Sequence, residues 1–125
     1  MTEHGNHSTF FHDKEVLLLE DEILLAKRIT AVIEKMGAEV TRTENIGDAR
    51  KALKEISFDC ALFDLNLPDG ESLDLLREHA VPENTLVVLM TGEGGVRSAV
   101  EALRLGASDY LTKPFDLEEL PLVFS

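Results

Sequence analysis

Five side chains in this sequence stand where short apolar runs stop, and together they could move a phosphoryl group. Glu20 and Asp21 follow the run 16–19. Asp64 closes Cys60-Ala61-Leu62-Phe63. Thr91 follows the run 86–90, and Lys113 lies just beyond Asp109-Tyr110-Leu111. A carboxylate can act as a covalent nucleophile. Phosphoryl transfer also needs a cation between nucleophile and phosphoryl oxygens, and donors for the remaining oxygens. Asp64 is placed as the nucleophile. Asp21, with Glu20 directly or through water, is placed to hold the cation, and Thr91 and Lys113 to hold the phosphoryl group.

Acids at strand ends also serve as helix caps, a role open to Asp21. Charge argues for more than capping. Two like charges roughly 4 Å apart repel by about 4 kcal/mol at an effective dielectric near 20. Three clustered carboxylates therefore require neutralisation, part of it from Lys113 and the rest from a divalent cation. Oxygen-only donors favour Mg2+, with Mn2+ as the alternative.

These residues meet only if the runs carrying them are neighbouring strands. The runs are short and continuously apolar, as expected of strands covered on both faces. Amphipathic segments separate them. The first carries Leu25, Ile29, Val32 and Met36 on one face and stops at Gly37, placed for a left-handed C-cap. Val40 marks the second strand. Asn45 can cap a helix bearing Ala49, Ala52, Leu53 and Ile56. Pro68-Asp69-Gly70 is a turn signal, and the helix after it turns Leu73 and Leu76 inward. A fourth helix is expected to bury Val96, Ala99, Val100 and Leu103 and to stop at Gly106. Asp116 and Glu119 form an expected capping pair for the last helix, in which Pro121 removes a hydrogen bond.

Strands alternating with helices imply crossover connections, hence one doubly wound α/β domain. The expectation is a five-stranded parallel sheet in the order 2-1-3-4-5, flavodoxin-like, with helices on both faces and a last helix that is short or incomplete. Ligands of such sheets bind outside the carboxyl ends of the strands.

The chain has 125 residues, enough for one domain. The first 12 are polar, with His4, His7 and His12, and read as a disordered tail before a domain at 13–125. The histidines lack the spacing of a metal site. Net charge is -12, from 24 acidic and 12 basic residues. Such a balance disfavours direct nucleic-acid binding. No apolar run can span a membrane, and no signal-peptide pattern opens the chain. The expected location is the cytoplasm. Cys60 reads as a small buried hydrophobe, and His79 as a solvated side chain.

The segment Leu18-Leu19-Glu20-Asp21-Glu22, the stretch FDLNLPDG, the pair Thr91-Gly92 and DYLTKPF resemble the receiver domains of two-component response regulators (CheY-like), from about Lys14 to about Leu120. The resemblance implies a phosphoprotein, an acceptor rather than a conventional enzyme, that promotes its own phosphorylation and can lose the phosphate again. It implies Asp64 as the site of aspartyl phosphate. Glu20, Asp21, Asp64 and the backbone carbonyl of Asn66 would be the Mg2+ ligands. Thr91, the Gly92 amide and Lys113 would contact the phosphoryl group. Thr91 and Tyr110 would be the switch pair, and Asn66 and Glu93 would tune dephosphorylation. The Lys113-Pro114 peptide bond is expected to be cis.

Implied partners are a sensor histidine kinase or phosphotransfer protein, and an output domain, transcriptional in kind, reached through helix 4, strand 5 and helix 5. A homodimer through the same surface is compatible with this. Within the family, TGEGGVRSAVEALRLGASDYLTKPFDLEEL is most similar to receivers of nitrogen-regulation-type sigma-54-dependent activators.

Other chemistries fit less well. A haloacid-dehalogenase-type phosphatase needs a second Asp where Asn66 stands, and its nucleophile follows the first strand. A flavin site would meet Glu20-Asp21-Glu22 where a phosphate loop is required. A phosphate-independent interaction module on the same fold leaves the acceptor residues unexplained.

Overall fold

The computed structural model describes residues 9–92 and 94–124. Five parallel strands form one sheet: β1 (Glu15–Leu19), β2 (Glu39–Thr43), β3 (Cys60–Asp64), β4 (Leu86–Thr91) and β5 (Asp109–Thr112). Their order is β2-β1-β3-β4-β5, as expected from the sequence. Helices α1 (Ile23–Lys35), α2 (Ile46–Glu55), α3 (Leu73–Arg77), α4 (Val96–Arg104) and α5 (Leu120–Phe124) make the crossovers and close the fold. A small hairpin, Asn66–Leu67 against Gly70–Glu71, follows β3.

Strand alternation divides the core into two layers. Val16, Leu18, Cys60, Leu62, Val88, Met90 and Leu111 face α1 and α5. Leu17, Leu19, Ala61, Phe63, Val87 and Leu89 pack with residues of α2, α3 and α4. The period-2 rule extends both sets to the strand ends. Glu20, Asp64 and Lys113 continue the rows 16-18, 60-62 and 111 on the α1 side. Thr91 continues 87-89 on the other side, where Tyr110 also packs against the core.

The expected caps form in part. Asn45 Oδ1 accepts the Asp48 amide at 2.8 Å. Gly37 and Gly106 adopt φ of 102° and 110°, the left-handed stops that a side chain would strain. Asp116 and Glu119 do not form a side-chain capping pair; only the Glu119 amide bonds the Asp116 carbonyl, at 3.0 Å. A 3-10 turn, Leu117–Glu119, occupies that stretch and delays the helix. Pro121 therefore falls in the first turn of α5, where its missing N–H costs nothing.

Two other expectations change. On α4 the buried residues are Ala99 and Ala102, while Val96, Val100 and Leu103 are exposed. The helix sits close to the sheet on its small side chains and turns its larger ones to solvent. The tail boundary drawn at residue 12 also cuts through packed chain. Phe11 is fully buried against the α1/α5 layer, and Phe10 stacks on Phe124 with ring centroids 6.0 Å apart. An aromatic pair in a polar segment finds partners that its sequence neighbours do not show. His4 and His7 lie outside the described residues.

Candidate functional site

The acidic rim is assembled by strand register. β1 and β3 are neighbours, with Leu19 opposite Phe63, so the next residues, Glu20 and Asp64, emerge side by side. Asp21 follows in the β1–α1 loop. Each of Glu20, Asp21 and Asp64 offers a carboxylate oxygen within 4.8 Å of the others. Asp21 does not cap α1, whose N-cap is Glu22 without a side-chain bond. Its carboxylate is exposed and free to face a cation.

Lys113 completes the cluster from β5. Its Nζ lies 2.9 Å from Glu20 Oε1 and 3.0 Å from Asp64 Oδ1. One ammonium thus serves two carboxylates, and the third acid adds charge beside them. Burial, above all, raises the Asp64 pKa above its ordinary value; Glu20 and Asp21 push the same way, against the hydrogen bond and charge of Lys113. Burial works against the Lys113 charge too, but its bonds to Glu20 and Asp64 outweigh it and hold its pKa up. The ammonium is firmly charged, and the carboxylates around it are in excess.

The donor set fits Mg2+: carboxylate oxygens only, on an open rim, with no nitrogen or sulfur among them. Asn66, two residues past Asp64, opens the small hairpin and is exposed at the same end of the sheet.

Thr91 is buried at the end of β4 and sits under the β4–α4 loop. A Cβ placed on Gly95 would stand 2.7 Å from Thr91 Cβ and 3.2 Å from its Oγ1, so only glycine permits this approach. Tyr110 lies one rung behind on the same face, half-buried, with Leu89 opposite it and Thr91 paired to Thr112. Gly92 is exposed in the loop, and Glu93 lies outside the described residues. The Lys113-Pro114 peptide bond is cis. His79 is exposed. Cys60 is fully buried, and desolvation chiefly pushes its thiol up to about 12, leaving it unreactive at neutral pH.

One contact was not legible in the sequence. Arg42, on edge strand β2, donates from Nε and a terminal nitrogen to the Glu20 backbone carbonyl, at 3.0 and 2.8 Å. An arginine in a strand otherwise reads as a solvated charge, and no motif marks this one.

Comparisons with known proteins agree with this geometry. The family model described as "Response regulator receiver domain" matches residues 16–124. The virulence transcriptional regulatory protein PhoP of Salmonella choleraesuis is 39% identical over 106 residues, covering 84% of this chain and 47% of PhoP. The chain spans about half the length of the first curated relatives it matches, 48% and 47%. A Burkholderia pseudomallei response regulator, solved with a phosphorylated aspartic acid, calcium ion and citrate, superposes with a TM-score of 0.83 at 26% identity, over 90% of this chain and 67% of that one. The beryllofluoride-activated NtrC4 receiver domain dimer gives 0.77 at 28% identity, over 88% and 95%. Matches of both the PhoP and the NtrC kind occur, and they single out no one subgroup.

Proposed function

This chain belongs to the response regulator receiver domains, and we propose that in it Asp64 accepts a phosphoryl group from the phosphohistidine of a sensor histidine kinase or phosphotransfer protein. It is a two-component signalling domain and not a conventional enzyme. The observation that carries the assignment is the rim itself: Asp64 held among Glu20 and Asp21, with one ammonium shared between Asp64 and Glu20.

In the transfer an Asp64 carboxylate oxygen forms a bond to phosphorus. The phosphorus–nitrogen bond of the donor breaks, and the imidazole nitrogen keeps the electron pair. Glu20, Asp21, Asp64 and the Asn66 carbonyl are the groups that would hold Mg2+, which when bound neutralises charge on the acids and the phosphoryl oxygens. Lys113, already on Asp64, is placed to follow the new negative charge. The Gly92 amide supplies a further donor. Asn66 and Glu93 would set how readily water removes the phosphate.

Phosphorylation adds about -1.5 to -2 charges and three acceptor oxygens. The Thr91 hydroxyl would move to one of those oxygens. Tyr110, behind it on the same face, would then fill the vacated space. The altered surface is α4, β5 and α5, whose exposed Val96, Val100 and Leu103 would meet an output domain or a second copy of the chain. A transcriptional output follows from the whole relatives, which extend well beyond this segment. The nitrogen-regulation type of sigma-54-dependent activator is our preferred subgroup, on the likeness of residues 91–120. Among the described residues no helix is long and apolar enough to cross a membrane, and a cytoplasmic setting suits exchange with a kinase.

The test is incubation with acetyl phosphate and Mg2+ followed by intact mass. One hydroxylamine-labile phosphoryl adduct is expected, absent in Asp64→Ala and absent without the metal. An adduct retained in Asp64→Ala would remove the assignment.

A further inference from the structure

We infer that Arg42 is a positioning residue for the cation site, acting through the backbone of Glu20. The inference rests on the reading of Glu20, Asp21 and Asp64 as the Mg2+ site. The β1–β2 pairing ends at Leu19 opposite Thr43. Glu20 is the first residue past that pairing, and its carbonyl has no ladder partner there. Arg42 supplies one. Both its donating nitrogens converge on that single oxygen, at 3.0 and 2.8 Å. The Glu20 amide is held from the same strand, bonding the Thr43 carbonyl at 3.0 Å.

The Thr43 hydroxyl donates to the Leu18 carbonyl at 3.1 Å, one turn of the pleat earlier. Two consecutive residues of β2 therefore grip the end of β1 at three points. The Glu20 side chain is fixed as well: Oε1 by Lys113 and Oε2 by the Glu22 amide at 3.0 Å. What remains unheld is the Asp21 carboxylate, exposed, one peptide bond beyond the clamped carbonyl. The direction in which Asp21 leaves the strand is set by the peptide that Arg42 holds.

Two features make this more than a surface charge. The Arg42 side chain is only 26% exposed, and it lies along α1 beside Ala26, Thr30 and Ala31. Its contact with the exposed Glu44 carboxylate is looser, at 3.7 Å. A planar fork reaching one oxygen with two donors cannot be reproduced by lysine, which brings a point charge and a flexible stem.

Charge and geometry make opposite forecasts, so the role can be isolated. A guanidinium near the rim opposes a cation, and its removal alone would tighten Mg2+ binding. Loss of the clamp would let the β1–α1 loop relax and weaken binding; outer-shell partners of metal ligands are typically worth 10–100-fold in affinity. Isothermal titration of Mg2+ into the purified chain, Arg42→Lys and Arg42→Met separates them. We expect Arg42→Met to weaken Mg2+ binding by roughly tenfold, and Arg42→Lys, which keeps the opposing charge without the fork, to weaken it at least as much. Acetyl phosphate labelling at saturating Mg2+ should stay within about twofold, because the reacting groups are unchanged.

Equal or tighter Mg2+ binding in Arg42→Met would overturn the inference. So would a loss of labelling rate at saturating Mg2+ with unchanged affinity. Circular dichroism melts without metal report any loss of folding, and Arg42→Lys keeps the test available if Arg42→Met does not fold. A parent chain that binds Mg2+ but takes up no phosphate would sink the acceptor reading and leave the clamp standing; one that binds no Mg2+ would sink both.

Discussion

The molecule handles carboxylates in two opposite ways. On the outer surface of α2, α3 and α4 carboxylates are matched by arginines. Arg50 forks onto Glu78 at 2.7 and 2.9 Å, and Arg77 onto Glu101 at 2.9 Å through both nitrogens, with Asp74 at the same distance. These pairs are solvated, and Glu78 and Glu101 have pKa values below the ordinary carboxylate range, chiefly because of their arginine hydrogen bonds. At the carboxyl ends of β1 and β3 three acids crowd round one lysine, which reaches only Glu20 and Asp64, and the most buried aspartate has its pKa raised instead. Same residue types, opposite shifts. Balanced charge fastens helices together, and surplus charge at a strand end is a site waiting for a cation.

The comparison breaks most visibly if the one ammonium is removed. In Lys113→Met the carboxylates lose their internal counter-charge while Asp64 and Glu20 stay buried. Breaking a buried pair on one side costs about 3–5 kcal/mol; partial solvent access to Lys113 brings the expectation to about 2 kcal/mol, a melting point lower by roughly 8 °C. Mg2+ should restore more stability to this variant than to the parent, since the acids then meet the cation without a competitor. A metal-free melt with no loss would show that the rim is not under electrostatic load.

Asp64→Asn tests the same surplus in the other direction, at a smaller scale. It relieves repulsion, leaves Lys113 its bond to Glu20, and should raise the metal-free melting point at pH 7 by roughly 4 °C, about 1 kcal/mol. The pH dependence fixes the sign. Because the folded pKa of Asp64 is raised, its protonation favours the folded state. That contribution is complete below the ordinary aspartate range and is lost as pH rises through the folded value. The advantage of Asn over Asp should therefore shrink as pH falls from 7 toward 4. Melting both proteins across that range in EDTA measures it; a gap that widens on acidification would refute the sign.

The difference between the two regions also explains what the sequence made legible. Asp64, Glu20 and Lys113 could be placed in advance because each ends a short apolar run, and parallel strands bring such ends together regardless of detail. Period 2 then decides the face. Helix faces were less legible. On α4 helical spacing groups Val96, Ala99, Val100 and Leu103, yet of these only Ala99, joined by Ala102, makes the core contact, because close packing on a sheet selects small side chains rather than the most apolar ones. Phe11 was hidden by its polar neighbours, and its burial depends on Phe124 at the far end of the chain. Arg42 was hidden for a related reason: its partner is a backbone carbonyl, and backbone acceptors leave no mark in a sequence.

The smallest effect belongs to the balanced side. Arg77→Met removes the fork to Glu101, which ties α3 to α4, and the contact with Asp74 within α3. The groups are solvated, and exposed pairs contribute little once side-chain ordering and desolvation are counted. The expected change in melting point is about 2 °C or less, shrinking further at 0.5 M salt as screening shortens the range of the interaction. Salt should act on the rim differently, because buried charges are screened less. A melting series in rising NaCl, comparing Arg77→Met with Lys113→Met, would show the first difference vanish while much of the second persists. Equal salt sensitivity in the two variants would mean that the rim acids are solvated like the helix pairs, and that their crowding has no energetic consequence.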